Sequence, residues 1–167
     1  MRLSHSFVIK PPAPPVSGAI HELFTHDPGK ARERILALEA KMFGEIGEGI
    51  ARELPLRHIF IKGGYAREMT IPAGVLIVGH IHKDESFTVV TQGHITVLTE
   101  DGIKDIHGPT TVFASRAGVK RVGYAHTETI WTTIHVTEET NPERMIEVLT
   151  VPSYEEFERF LLGESGS

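Results

Sequence analysis

Hydrophobic and polar positions divide the chain into an opening segment without periodicity, one helical stretch, a long run of short alternating segments and a closing helix. In "THDPGKARERILALEAKMFGEIG", Ile35, Leu38, Met42 and Ile46 recur at helical spacing, with Asp27 placed as N-cap and Pro28 at the first helical position. From Leu54 the pattern changes. "LRHIFIK", "YAREMTI", "VLIVGHIH", "FTVVT", "HITVLTE", "TTVFAS", "RVGYAH", "TIWTTIHVT" and "MIEVLTV" are short β-type runs separated by Gly63-Gly64, "PAG", "KDES", "QG" and Asp101-Gly102. Eight or nine such strands at this spacing predict an all-β sandwich or barrel. Ser153 and Glu156 form a capping box, which predicts a final helix through "YEEFERFLL" with Phe157, Phe160 and Leu161 on one face.

The ends change this picture little. "KPPAPPVSG" imposes extended backbone, so residues 1–19 read as an arm able to pack on a neighbouring subunit. The expected division is an arm and helix over 1–53, a β-barrel over 54–152, and a helix and tail over 153–167. The apolar run Phe7–Ile9 is too short for a signal-peptide core and no stretch is long enough to span a bilayer, so the expected location is cytoplasmic, without membrane contact. A net charge of -5, with acidic and basic residues interspersed, gives no basic face for nucleic acid. The absence of cysteine removes disulfides, thiolate ligands and cysteine nucleophiles. No phosphate-binding glycine loop, nucleophile elbow, HExxH or dinucleotide fingerprint is present.

Ten histidines are many for 167 residues. Two of them, His80 and His82, lie two apart in a strand-like run, where Cα atoms about 6.6 Å apart carry side chains to one face. They could converge on a cation with nitrogen–metal distances of about 2.0 to 2.1 Å. Strict alternation places them with Leu76 and Val78, and Val75, Ile77 and Ile81 opposite. His126 is the candidate third ligand, with Glu85 and His135 as alternatives; Glu85 also reads as a solvated carboxylate of the "KDES" turn. An all-imidazole set would suit zinc, nickel, copper or iron, and two histidines with one carboxylate would suit non-haem iron. His58, His94 and His107 read as surface or hydrogen-bonded residues.

These motifs resemble the cupin superfamily. Its first motif, G-x5-H-x-H-x3 or x4-E-x6-G, is matched by Gly74, His80, His82 and Gly93, with Ser86 where the family has glutamate. Its second motif falls loosely on "GPTTVFASRAGVKRVGYAH", with Gly118 in place but Arg116 for the proline and Arg121 for the histidine. "GYARE", "GHIHK", "AGVKRVGYAH" and "TIWTTIHVT" are also similar to small phage and prophage cupins, over residues 55–150.

The resemblance implies a mainly β fold, the double-stranded β-helix or jelly-roll barrel, with a divalent first-row metal (Zn, Fe, Ni, Mn or Cu) held by His80, His82 and His126. The expectation is a homodimer that binds or transforms a small anionic molecule, possible enzyme types being oxygenase, isomerase or lyase. In that reading Tyr124 or Glu85 moves protons, and Arg121, Lys120, Arg67 and Trp131 contact the substrate; arginine forks pair bidentately with carboxylate and phosphate. Arg121, at the usual histidine position, could also supply positive charge in the metal's stead. The alternatives are a non-catalytic metabolite- or nucleotide-binding module, and a phage or prophage accessory oligomer, both without metal.

Overall fold

The computed structural model describes residues 7–9, 27–47 and 51–163. Of the proline-rich arm only Phe7–Ile9 falls among them, as strand β1; the rest of that expectation lies outside the described residues. A 3-10 turn, Pro28–Lys30, leads into helix α1, Ala31–Gly47, where the periodicity predicts it. Strands β2 (Ala51–Glu53), β3 (Leu56–Ile61), β4 (Gly64–Ile71), β5 (Leu76–Val78) and β6 (Ile81–His82) follow. Then come β7 (Ser86–Gln92), β8 (His94–Thr99), β9 (Gly102–His107), β10 (Thr111–Ser115), β11 (Val122–Ala125) and β12 (Thr129–Val136). The chain closes through helix α2 (Met145–Leu149), strand β13 (Thr150–Val151) and helix α3 (Tyr154–Leu161).

The strands form two antiparallel sheets, ordered β2-β1-β5-β11-β8-β9 and β10-β7-β12-β4-β3, with a small β13-β6 pair beside them. Met69, Ile71, Val90 and Trp131 from the five-stranded sheet meet Ile77, Ile95, Val97, Ile106 and Ala125 from the six-stranded one. This is the sandwich that the alternation predicts, in the form the resemblance implies: each strand turns one row of apolar residues inward. Part of the outer row of the six-stranded sheet is also buried, because Leu76, Val78, Leu98 and Val122 pack against Ile35 and Leu38 of α1. At the C-terminus the Ser153 Oγ accepts from Glu156 N–H at 3.2 Å, the capping box read from sequence.

Two expectations change. The apolar run Met145–Val151 is not one strand; it is α2 followed by the two residues of β13, and the helix start is marked by Asn141, whose side chain accepts from Glu143 N–H ahead of Pro142. Nor is "VLIVGHIH" one strand. β5 ends at Val78, where Gly79 N–H donates to the Arg121 carbonyl at 2.9 Å, and β6 then pairs with β13 rather than β11. The chain changes partner at Gly79 and His80, and that break resets which way the next side chains point.

Candidate functional site

The consequence of the break is that His80 and His82 face inward. Leu76 and Val78 lie beneath α1, and Ile81 packs outside against Val151 and Tyr154, while Ile77, Gly79, His80 and His82 all line the space between the sheets. The expected pair thus shares its face with Ile77, not with Leu76 and Val78, because two inward positions follow in succession at Gly79 and His80.

The inward row of β4 runs Tyr65, Arg67, Met69, Ile71, and the register sets it against β12: His135 faces Tyr65, Thr133 faces Arg67 and Trp131 faces Met69. Arg121 joins from the segment before β11. These side chains bound a cavity of about 70 Å³ whose walls are apolar at one end (Met69, Ile71, Ile77, Ile95, Val97, Trp131) and basic at the other (Arg67, Arg121, His80, His82). Among the described residues, no acidic side chain lines it. Arg67 and His82 are shared with a wider cleft of about 560 Å³ that includes His58, Tyr65, His135, Met145 and Leu149.

The rings in this region pack closely. His58 Nδ1 and the Tyr65 hydroxyl are 2.7 Å apart, and the His82 and His135 rings meet edge to face with centroids 4.8 Å apart. Burial first, then the positive charge of Arg67, lowers His135 to a pKa of about 4. His82 is held well below the usual imidazole range by burial, followed by His135, Arg121 and Arg67. Burial also lowers both guanidiniums, although arginine remains charged at any ordinary pH.

The other expected site residues are dispersed. Lys120 alternates away from Arg121; it is fully buried, with Nζ 2.5 Å from Glu39 Oε1 of α1 and 3.3 Å from the Pro152 carbonyl. Its ammonium is thereby committed to a structural ion pair outside the cavity. Tyr124 packs against the α1 cluster on the outer face of the six-stranded sheet. Glu85 is exposed, just ahead of β7. Arg116 is also exposed and chelates Asp101 through both carboxylate oxygens, at 2.6 and 2.5 Å. Trp131 lines the cavity, edge to face with Phe113.

His126 lies on the outer face too. Its Nε2 is 2.7 Å from Thr96 Oγ1 and its ring stacks on His94 with centroids 4.1 Å apart. Since Ile95 and Val97 of β8 face the cavity, Thr96 and His94 point away from it. His126 therefore does not complete a set with His80 and His82. A cupin-type metal in the cavity would need a third donor, but Ser86 stands where the family has glutamate, its Oγ 3.5 Å from His82 Nδ1, and Arg121 stands where it has histidine. Among the described residues, the group of three histidine or carboxylate donors that closes within 4.8 Å is His94, Asp105 and His126. Among the described lining residues, two cations facing two imidazoles, without a carboxylate, do not fit a dication.

No protein-family model matches the sequence, and neither does any curated protein sequence. Solved structures similar to the fold include ectoine synthase from P. lautus (17% identity, 59% of this chain and 74% of that one, TM-score 0.46). Others are a cupin-2 domain protein from Shewanella frigidimarina (10%, 57% and 92%, TM-score 0.43) and an acetylacetone dioxygenase from Acinetobacter johnsonii (14%, 50% and 60%, TM-score 0.43). The match thus spans about three fifths of the dioxygenase. Among the described residues no helix is long and apolar enough to cross a membrane. By its own two-sheet topology the chain is a mainly β protein, with the sandwich form that the sequence resemblance implies.

Proposed function

We propose that the protein binds a small organic anion in the cavity between its sheets, without a metal at His80 and His82. The observation that carries this reading is the lining: among the described residues, two guanidiniums and two imidazoles at one end, apolar walls with Trp131 at the other, and no carboxylate. An apolar pocket with a few convergent polar groups is the usual form of a small-molecule site. Arg121 and Arg67 would take a carboxylate or phosphate, and the wall of Met69, Ile77, Val97 and Trp131 would take a compact apolar body. His82, kept neutral at physiological pH by its burial, would donate or accept a hydrogen bond rather than add charge, and His80 lines the same end of the cavity.

Calorimetric titration with inorganic phosphate and with short-chain and aromatic carboxylates tests this. A member of the panel should bind the wild-type protein, and Arg121→Gln should weaken it roughly 10- to 100-fold, as expected for losing a charged hydrogen bond. Binding that is indifferent to Arg121→Gln, or a wild-type protein that binds none of these anions, would sink the proposal.

The expected homodimer belongs to the outer face of the five-stranded sheet. Ile59, Ile61, Phe87, Val112, Ile134 and Val136 are exposed there on neighbouring strands, Phe87 directly beside Ile134. A monomer rarely leaves a contiguous apolar face of this kind in water, and an isologous pairing with a second copy covers both patches at once. Light scattering should give twice the chain mass for the wild type and the single mass for Phe87→Glu/Ile134→Glu. A monomeric wild type would remove this part of the reading.

A further inference from the structure

We propose that His94, Asp105 and His126 form a binding site for one borderline divalent metal ion, zinc being the probe of choice, on the outer face of the six-stranded sheet. The site is separate from the anion cavity and does not depend on it.

It is built by strand register. Thr96 of β8 faces Asp105 of β9 on one side and Tyr124 of β11 on the other, and His94 faces His107. His126, one residue beyond β11, is fixed by its own N–H donating to the His94 carbonyl at 2.8 Å. Three adjacent strands thus deliver two imidazoles and a carboxylate to one spot, and their nearest donor atoms all lie within 4.8 Å of one another. Bonds of about 2.0 to 2.1 Å in a tetrahedral arrangement require donors about 3.3 Å apart. Side-chain rotation alone can supply that contraction, because all three side chains are solvent-accessible.

The surroundings suit a cation. Thr96 donates its hydroxyl proton to Asp105 Oδ1 and accepts from His126 Nε2, so one buried hydroxyl holds the two side chains side by side. His94 Nε2 is 3.4 Å from the same carboxylate oxygen. On the far side His107 stacks on His94 with centroids 4.0 Å apart, making a row of three imidazoles beside one carboxylate. Imidazole with carboxylate selects zinc, nickel, copper or iron over calcium and magnesium, and three protein ligands leave a fourth position for water or an exogenous ligand. On zinc binding, His126 Nε2 would exchange its contact with Thr96 for the metal and carry its proton on Nδ1 instead.

The test is a zinc titration of the full, untagged chain by calorimetry, with cobalt(II) absorption as a second readout of ligand geometry. One zinc per chain is expected, weakened at least about tenfold by the isosteric Asp105→Asn and by His126→Gln, which keeps a polar side chain. His80→Gln/His82→Gln should leave zinc affinity unchanged. Absence of zinc binding to the wild type, affinity that survives both outer-face substitutions, or affinity lost only in the His80/His82 variant would each overturn the proposal. Urea midpoints measured on the same variants separate loss of a ligand from loss of fold.

Discussion

Stability is expected to fall steeply as the pH is lowered from about 6.5 toward about 4, before most carboxylates protonate. The cause is His135 and His82. In the unfolded chain each titrates near 6.5, whereas in the folded protein His135 titrates near 4 and His82 well below its usual range. Between those values the unfolded state binds protons that the folded state refuses, so the derivative of unfolding free energy with pH is positive and acid favours unfolding. Each depressed histidine contributes about 1.4 kcal/mol per pH unit across its window, which makes roughly 3 kcal/mol for His135 alone. His82 adds to this with the same sign. Above about pH 6.5 both states hold the neutral imidazole and these two residues give no slope. Asp105 and Glu139, whose carboxyls are lowered by hydrogen bonds from Thr96 and from the Asn141 backbone, lose their contribution only at lower pH. Urea midpoints at about pH 7.5 and about pH 5 should differ accordingly, and His135→Gln should flatten part of the profile. Equal midpoints at the two values would show that these imidazoles are hydrated. An anion bound beside Arg67 and Arg121 would oppose their positive potential at His82 and His135, raise both pKa values and reduce the slope, which links the acid profile to occupancy of the cavity.

Alternation made the sandwich legible, but it could not reveal where alternation stops. His80 and His82 were readable as a pair, yet the face they share was not, because Gly79 ends one pairing and β6 starts another with β13, some seventy residues downstream. Similarly, "KR" at Lys120 and Arg121 must point in opposite directions on an extended segment. Only the tertiary structure shows that Arg121 takes the cavity and Lys120 the helix. The run Met145–Val151 carried too few residues for its period to separate helix from strand; the Asn141-Pro142 start signal was the better guide.

The outer-face cluster is a different case. The Asp101-Gly102 turn implied a β8–β9 hairpin. The observed loop is Glu100-Asp101, with Thr99 paired to Gly102, so the register differs by two residues along the strand. A shift of two leaves facing unchanged. His94, Thr96, Asp105 and His107 were therefore on one face under either register, and that signal was present in the sequence. Bringing His126 to them needed the position of β11 beside β8, which two strands of intervening chain conceal.

Glu39→Ala is expected to cost about 3 to 5 kcal/mol of folding stability, although Glu39 is a partly exposed residue of α1. Its carboxylate is the anionic partner of Lys120, whose side chain has no exposure at all. Removing the carboxylate leaves an ammonium enclosed by protein, with the Pro152 carbonyl at 3.3 Å its one remaining partner among the described residues. Lys120→Met should cost less, since the Glu39 carboxylate can hydrate and the thioether fills the space of the lysine stem. In the double variant Glu39→Ala/Lys120→Met most of the loss should be recovered, giving a coupling of opposite sign to the single losses. Urea unfolding of the four proteins measures this cycle, and a Glu39→Ala cost below about 1 kcal/mol would show that water reaches the lysine. The effect should extend to the cavity. Lys120 and Arg121 are successive residues on one extended segment, so the ion pair to α1 fixes the segment from outside while the Arg121 guanidinium is presented inside. Glu39→Ala should therefore weaken anion binding as well as the fold, although Glu39 lines no part of the cavity.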